Sequence, residues 1–209
     1  MNNQQAYNSW AAQYDTNKNR TRDLEAAALR AVLKDIPFAT VLEVGCGTGK
    51  NSIRFTGHAR QVVALDFSEE MLNRARAKTA GTDITFMQCD ITQEWPVKGQ
   101  FDLVSFSLVL EHIPDLDFIF RQAMQRLAPG GYIYIGELHP FKQYSGSLAR
   151  FDLDTGRVEL ECHTHHISEF TGLARRYGLR IAALEEWFDE DGTPPIPRIL
   201  TLLLQRGTQ

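Results

Sequence analysis

Val41-Leu42-Glu43-Val44-Gly45-Cys46-Gly47-Thr48-Gly49 decides the fold. A short β-branched run breaks off into three glycines, and a helix-compatible stretch follows. That order is the mark of a buried parallel strand whose loop must turn sharply and let a ligand approach the backbone. The spacing is G-x-G-x-G. A dinucleotide fingerprint needs a glycine at position 50, which is Lys50. A Walker phosphate loop needs Ser or Thr after Gly-Lys and a glycine five residues before its last one; this chain has Asn51 and Val44 there. Both common nucleotide loops are therefore excluded, and the residues further along must say what the loop binds.

Working outward, Val62-Val63-Ala64-Leu65 reads as a second strand ending at Asp66, and Ile84-Thr85-Phe86-Met87 as a third, with Asp90 just beyond it. An acid at the second strand end accepts hydrogen bonds from both hydroxyls of a ribose. An acid at the third accepts from an adenine amino group, while Ile91 covers the ring. Ser68 reads as an N-cap with Glu69 and Glu70 in the first helical turn, and places Met71 where its thioether lies against adenine. Phe101 to Phe106 and Tyr132 to Ile135 read as two more strands. Between them Leu116, Ile119, Phe120, Ala123, Met124 and Leu127 share one helical face, opened by Asp115 and closed by Pro129-Gly130-Gly131. Strands alternating with helices predict a Rossmann-like, doubly wound α/β sheet, mostly parallel and seven-stranded, with helices on both faces.

The 209 residues suit one α/β domain. Its expected parts are an N-terminal helical lid over 1–35, a cofactor-binding core over 36–137, a substrate-lid insertion over 138–167, and a C-terminal helix with edge strands over 168–209. Tyr7, Trp10 and Tyr14 at helical spacing suggest the first lid, and an Asp154-Thr155-Gly156 turn suggests a β-hairpin in the second. The close of the chain reads as a helix near Ser168–Tyr177 and two strands, near Leu179–Trp187 and Ile199–Gln205. The Pro194-Pro195-Ile196-Pro197 turn makes them a C-terminal antiparallel hairpin. Scattered Cys46, Cys89 and Cys162 argue against a disulfide framework or a metal site. With no basic-then-apolar leader and no membrane-length apolar run, they lead to the expectation of a cytoplasmic protein that does not enter a membrane. The net charge of −4 gives no general attraction to nucleic acid.

The combined motifs resemble the class I S-adenosylmethionine-dependent methyltransferases, notably their small-molecule group. The matching pieces run from Leu42-Glu43-Val44-Gly45-Cys46-Gly47-Thr48-Gly49 through Ala64-Leu65-Asp66-Phe67-Ser68-Glu69-Glu70-Met71-Leu72 and Phe101-Asp102-Leu103-Val104-Ser105-Phe106. Leu110-Glu111-His112-Ile113-Pro114-Asp115 and Leu127-Ala128-Pro129-Gly130-Gly131 complete them. The resemblance implies that S-adenosylmethionine is bound and S-adenosylhomocysteine released. It implies a cofactor set of Tyr14, Glu43, Gly45, Cys46, Gly47, Asp66, Phe67, Met71, Asp90, Ile91 and Ser107. Gly45 and Gly47 would pass the methionine part, Asp66 hold the ribose, Asp90 with Ile91 hold adenine, and Ser107 touch the amino-acid moiety.

Methyl transfer from a sulfonium is an in-line displacement, served mainly by alignment and exclusion of water. A small, acid-bearing acceptor is expected beneath the 138–167 insertion, with His139 and His165 as candidate proton acceptors. Arg150, His163 and Tyr144 are candidate acceptor-binding groups, supported by Lys142, Arg157, Phe141, Phe151 and, after the Pro-rich turn, Arg198. The strand-like stretch from Arg157 to His165 would place Arg157, Glu159, Glu161, His163 and His165 on one face. His112 reads as a group that caps or packs near the following helix, while its closeness to the methionine end keeps it open as a reactive group, with Glu111 and His112 as the alternative acceptor site. Two other readings stand beside this one: an RNA methyltransferase using Lys18–Arg22 and Arg175-Arg176 as a phosphate track, and a non-catalytic cofactor-binding protein. Oligomeric state is left open.

Overall fold

A computed structural model describes residues 2–153, 156–190 and 196–208. Two helices come first, α1 (Asn3–Trp10) and α2 (Arg20–Leu33). The alternating core follows: β1 (Thr40–Val44), α3 (Ser52–Phe55), β2 (Gln61–Asp66), α4 (Glu69–Lys78), β3 (Ile84–Gln88), β4 (Phe101–Ser107), α5 (Leu116–Arg126) and β5 (Leu127–Leu138). The chain continues through α6 (Pro140–Tyr144), β6 (Arg150–Leu153), β7 (Gly156–Glu159), α7 (Ile167–Arg176), β8 (Arg180–Trp187) and β9 (Ile199–Gln205).

Seven strands form one sheet in the order β3-β2-β1-β4-β5-β9-β8. The first five are parallel, and β9 and β8 close the edge as an antiparallel pair. This is the expected Rossmann-like sheet. The period of two along each strand sorts the core into two layers. Val41, Val62, Leu103 and Tyr134 face Leu29 and Leu33 of α2 and Phe55 of α3. Leu42, Val44, Val63, Val104 and Ile133 face Ile119 and Phe120 of α5 and Phe170 of α7. Strand order reverses between β1 and β4, so their carboxyl ends leave a crevice at the switch point, where ligands of such sheets bind.

Several boundaries differ from the sequence reading. The helix after the glycine loop is a single short turn, because Thr48 to Asn51 is spent on the loop itself. The last helix begins at Ile167, and β5 begins at Leu127, ahead of Pro129-Gly130-Gly131. Strands β6 and β7 pair in antiparallel fashion from Arg150↔Glu159 to Leu153↔Gly156; the expected turn residues Asp154 and Thr155 lie outside the described residues, as do Pro194 and Pro195. β7 stops at Glu159, so the expected single face from Arg157 to His165 is broken. Leu160 is turned inward instead, with its N–H donating to the Ala149 carbonyl and its side chain packed with Ala6, Trp10 and Phe151.

Candidate active site

The crevice is a cavity of about 380 Å³, within the usual span for small-ligand sites. Its floor is the glycine loop. Gly45 and Cys46 donate their N–H groups to the Leu65 carbonyl at 2.8 and 2.9 Å, which ties the loop to the end of β2. Gly45 has φ +78°, and a β-carbon there would stand 2.5 Å from Cγ2 of Val109, so only glycine fits. Gly47 donates its N–H to Oδ2 of Asp66 at 2.8 Å, and Ser68 donates to Oδ1 at 2.9 Å. Asp66 thus faces the cavity with each oxygen already holding one backbone donor. Burial, partly offset by those bonds, pushes its carboxyl up to about 6. Phe67 and Met71 line the same side; Met71 sits on α4 behind the Ser68 N-cap, whose hydroxyl accepts from its N–H at 3.2 Å. Asp90 and Ile91 line the wall beyond β3 with Cys89 and Thr92.

Of the expected cofactor set, the lining gathers Tyr14, Gly45, Gly47, Asp66, Phe67, Met71, Asp90 and Ile91. Cys46, Glu43 and Ser107 are not among the lining residues. Cys46 is buried against Ala64 and Leu72. The Glu43 carboxyl is buried, accepts the Ser52 hydroxyl, and is pushed up to about 8 by burial. The Ser107 hydroxyl accepts from Asn51 at 3.4 Å, near the buried Glu25 that Tyr134 donates to at 3.2 Å. These three shape the loop from below.

The roof is α1, and side chains latch it to the body. Asn3 donates to the Glu161 carbonyl at 3.0 Å and accepts the Glu161 N–H at 2.9 Å, a bond pair that mimics a strand ladder. Gln4 donates to the Phe67 carbonyl at 2.7 Å. Trp10 stacks on Phe151 with ring centroids 4.6 Å apart and planes 3° from parallel. Asn2, Asn3, Gln4, Tyr7 and Tyr14 all line the cavity from above.

Between roof and floor stands a pair of which the sequence offers only His112, and that as a secondary candidate. The Tyr7 hydroxyl lies 2.8 Å from Nε2 of His112, and Nδ1 of His112 lies 2.9 Å from the Glu161 carbonyl. A carbonyl only accepts, so Nδ1 carries the proton, Nε2 keeps its lone pair, and Tyr7 donates to it. Burial holds the His112 pKa below its ordinary value, and the neutral ring is favoured. Glu111, pushed up to about 7 by burial, has Oε1 4.0 Å from the same Nε2. Leu108, at φ +54°, presents the loop after β4 to the cavity in a conformation costly for a leucine. What the sequence does not signal is the pairing of His112 with Tyr7, 105 residues away in the chain.

The expected acceptor groups are not brought here. His139 caps α6: its Nδ1 accepts the Phe141 N–H at 3.1 Å, and Nε2 lies 3.0 Å from Glu186. Both nitrogens are committed, and His139 is not among the residues that line the cavity. His165 places Nε2 2.8 Å from the Ile113 carbonyl and Nδ1 3.1 Å from Glu169, anchoring the end of the insertion. His163 donates its N–H to the Glu111 carbonyl at 2.6 Å, and its ring lies 3.9 Å from Glu161. Tyr144 is exposed, with its hydroxyl 2.5 Å from His166. Arg150 lines a separate cleft with Lys18, Trp10 and Phe151. Arg198 is held by Asp189 at 2.6 and 2.7 Å, and the side chain of Arg157 lies outside the described ones. No lysine or arginine lines the cavity among the described residues.

Of the proposed phosphate track, Arg22 is buried and donates to the Tyr14 and Asn17 carbonyls, and Arg176 pairs with Asp117 at 2.7 Å. Among the described residues no group of three or more His, Cys, Asp or Glu is arranged to hold a metal, and no helix is long and apolar enough to cross a membrane.

Known proteins agree with the geometry. A methyltransferase domain model matches residues 41–131. An uncharacterized methyltransferase of Emericella nidulans is 26% identical over 86% of this chain and 76% of its own. A ubiquinone biosynthesis O-methyltransferase of Hydrogenovibrio crunogenus is 28% identical over 67% of this chain and 61% of its own, so the chain spans under two thirds of that relative. The solved DhpI–SAM–HEP complex superposes with a TM-score of 0.77 at 25% identity, over 97% of this chain and 94% of that one. The glycine loop, the two strand-end acids and these likenesses coincide on one site, and residues 41–131 carry a methyltransferase domain.

Proposed function

We propose that the protein methylates a hydroxyl of a small, uncharged molecule that displaces the Tyr7 hydroxyl from Nε2 of His112. The observation that carries this reading is the geometry of His112 at the cavity wall, with Nδ1 2.9 Å from the Glu161 carbonyl and Nε2 2.8 Å from the Tyr7 hydroxyl. The residues fit the cofactor: the glycine loop admits a close backbone approach, and Asp66 and Asp90 offer acceptors at consecutive strand ends. Asp66 would hold the ribose through its remaining lone pairs, Asp90 and Ile91 the adenine, and Gly45 and Gly47 the methionine part. Bound S-adenosylmethionine would supply an electrophilic methyl group on a sulfonium, with the neutral thioether as its leaving group.

The chain's part is to align the acceptor, exclude water and take a proton. The Tyr7 hydroxyl marks where an acceptor hydroxyl would sit on Nε2 of His112. As the oxygen forms its bond to carbon, its proton moves to Nε2, and the nearby Glu111 carboxylate stabilises the resulting imidazolium. The absence of Lys and Arg from the described lining favours an uncharged acceptor over the acidic one expected from sequence. Leu108, Val109 and Ile113 supply an apolar wall. An RNA acceptor is disfavoured because Arg22 and Arg176 are already engaged.

The test is a screen of neutral and acidic hydroxyl compounds with isotopically labelled S-adenosylmethionine, repeated with His112→Gln. Methylation of a neutral hydroxyl is expected, with kcat lowered roughly 10²–10⁴-fold in the variant and cofactor affinity retained. Its acid limb in the unmutated protein should lie below the ordinary histidine pKa, since burial lowers that of His112. Turnover indifferent to His112→Gln would remove the base from the scheme.

A further inference from the structure

At the opposite end of the sheet from the cavity lies a second concavity, of about 560 Å³. It opens beside Ile36-Pro37-Phe38, the segment that leads into the amino end of β1, between the last turn of α2 and the short α3. Its floor is apolar: Leu29, Leu33, Phe38 and Phe55, with Phe38 and Phe55 in edge-to-face contact at 6.1 Å. Its rim is cationic, made of Arg30, Lys34 and Arg54, with His58 beside Phe38. Among the described residues none of those three cations forms an ion pair. Arg30 and Arg54 are close enough that the charge of Arg30 adds to burial in lowering the Arg54 pKa, against the opposing pull of the buried Glu25 carboxyl. A chain with a net charge of −4 has thus gathered three unpaired cations around one apolar hollow.

Like charges brought together without a direct ion pair repel, and an anion between them relieves that repulsion. Guanidinium forks match carboxylate and phosphate oxygens bidentately. We propose that this groove binds a small amphiphilic anion, a phosphate or carboxylate carried on an apolar chain. The head would sit between Arg30 and Arg54, near Lys34, and the chain would lie on Leu29, Leu33, Phe38 and Phe55. The volume suits a small molecule, within the usual 300–1,000 Å³ or so. The site is separate from the cofactor cavity, at the other ends of the strands.

Calorimetric titration with octyl phosphate and octanoate below their micellar concentrations tests the assignment. Both should bind; octanol and inorganic phosphate should bind at least about tenfold more weakly, because each carries only half of the recognised chemistry. Arg30→Gln and Arg54→Gln should each weaken octyl phosphate binding by at least about tenfold. Arg30 is exposed, so its variant decides the matter if Arg54→Gln fails to fold. Salt-sensitive co-sedimentation with phosphatidylglycerol vesicles would assign the ligand to a bilayer headgroup, and its absence to a soluble anion; either supports the shared chemistry. Failure to bind octyl phosphate, equal binding of octyltrimethylammonium, or indifference to Arg30→Gln overturns it. An acidic peptide bound where octyl phosphate is not would also overturn it, and would give the groove to a protein partner.

Discussion

The floor and the roof of the cavity are built on different principles. The floor is made by backbone: Gly45, Cys46, Gly47 and Ser68 donate main-chain N–H groups across two neighbouring strand ends, and the partners lie within about one βαβ unit of each other. The roof is fastened by side chains from distant sequence. Asn3 meets Glu161, Tyr7 meets His112, and Trp10 meets Phe151. A backbone-built floor is fixed once the sheet folds. A side-chain latch is worth only a few modest interactions, so under the proposed function it is the part that would open and close.

The comparison breaks most visibly at Gly45. Gly45→Ala puts a β-carbon 2.5 Å from Val109 at positive φ, which should cost roughly 2–6 kcal/mol from strain and overpacking together. Thermal unfolding and cofactor affinity should fall together, because floor and fold are one structure. An unchanged melting temperature would show that the loop is adaptable and the distinction false.

Asn3→Ala should behave in the opposite way. It removes two hydrogen bonds between α1 and the Glu161 backbone, worth about 0.5–1.5 kcal/mol each. Amide exchange over 160–163 should quicken and cofactor affinity fall up to about tenfold, while the melting temperature stays nearly level. A melting temperature lowered as much as by Gly45→Ala would make α1 part of the core.

The smallest effect concerns pH. Burial raises Glu43 and Glu137 to about 8, and Glu25 and Glu111 to about 7. A folded-state pKa above the unfolded one means the native protein binds more protons over that interval. Stability is then full below the unfolded value near pH 4.5 and declines as pH rises towards 8. The ligand-free melting temperature should therefore fall between pH 5 and 8. Glu137 accepts the Val109 and Leu110 N–H groups through one oxygen and leaves the other without a partner. Glu137→Gln keeps the acceptor and should flatten the slope. An unaltered slope would show Glu137 to be ionised throughout.

The same contrast explains what could be read from sequence. Strand-end residues such as Asp66 and Asp90 announce themselves, because period-two runs fix where each strand stops and which loop faces the crevice. The seven-stranded sheet and its antiparallel edge were legible for that reason. The roof was legible only as an aromatic spacing, Tyr7, Trp10 and Tyr14. Its pairing with Glu161, His112 and Phe151 crosses more than a hundred residues, and no local pattern encodes that. The same lack misdirected the acceptor. His139, His163, His165 and Arg150 share a titratable-rich insertion, yet a cap, a carbonyl or a separate cleft claims each of them. The positive φ of Leu108 leaves no trace in residue type.

The central claim is that the floor around Asp66 receives S-adenosylmethionine. Isothermal titration of the protein and of Asp66→Ala with S-adenosylmethionine, S-adenosylhomocysteine and NAD measures it directly. The first two should bind and NAD should not. Loss of charged-acceptor bonds worth about 1.5–3 kcal/mol each should weaken S-adenosylmethionine binding by at least about tenfold in a variant that still melts cooperatively. Binding of NAD, or S-adenosylmethionine affinity equal in the two proteins, would contradict it.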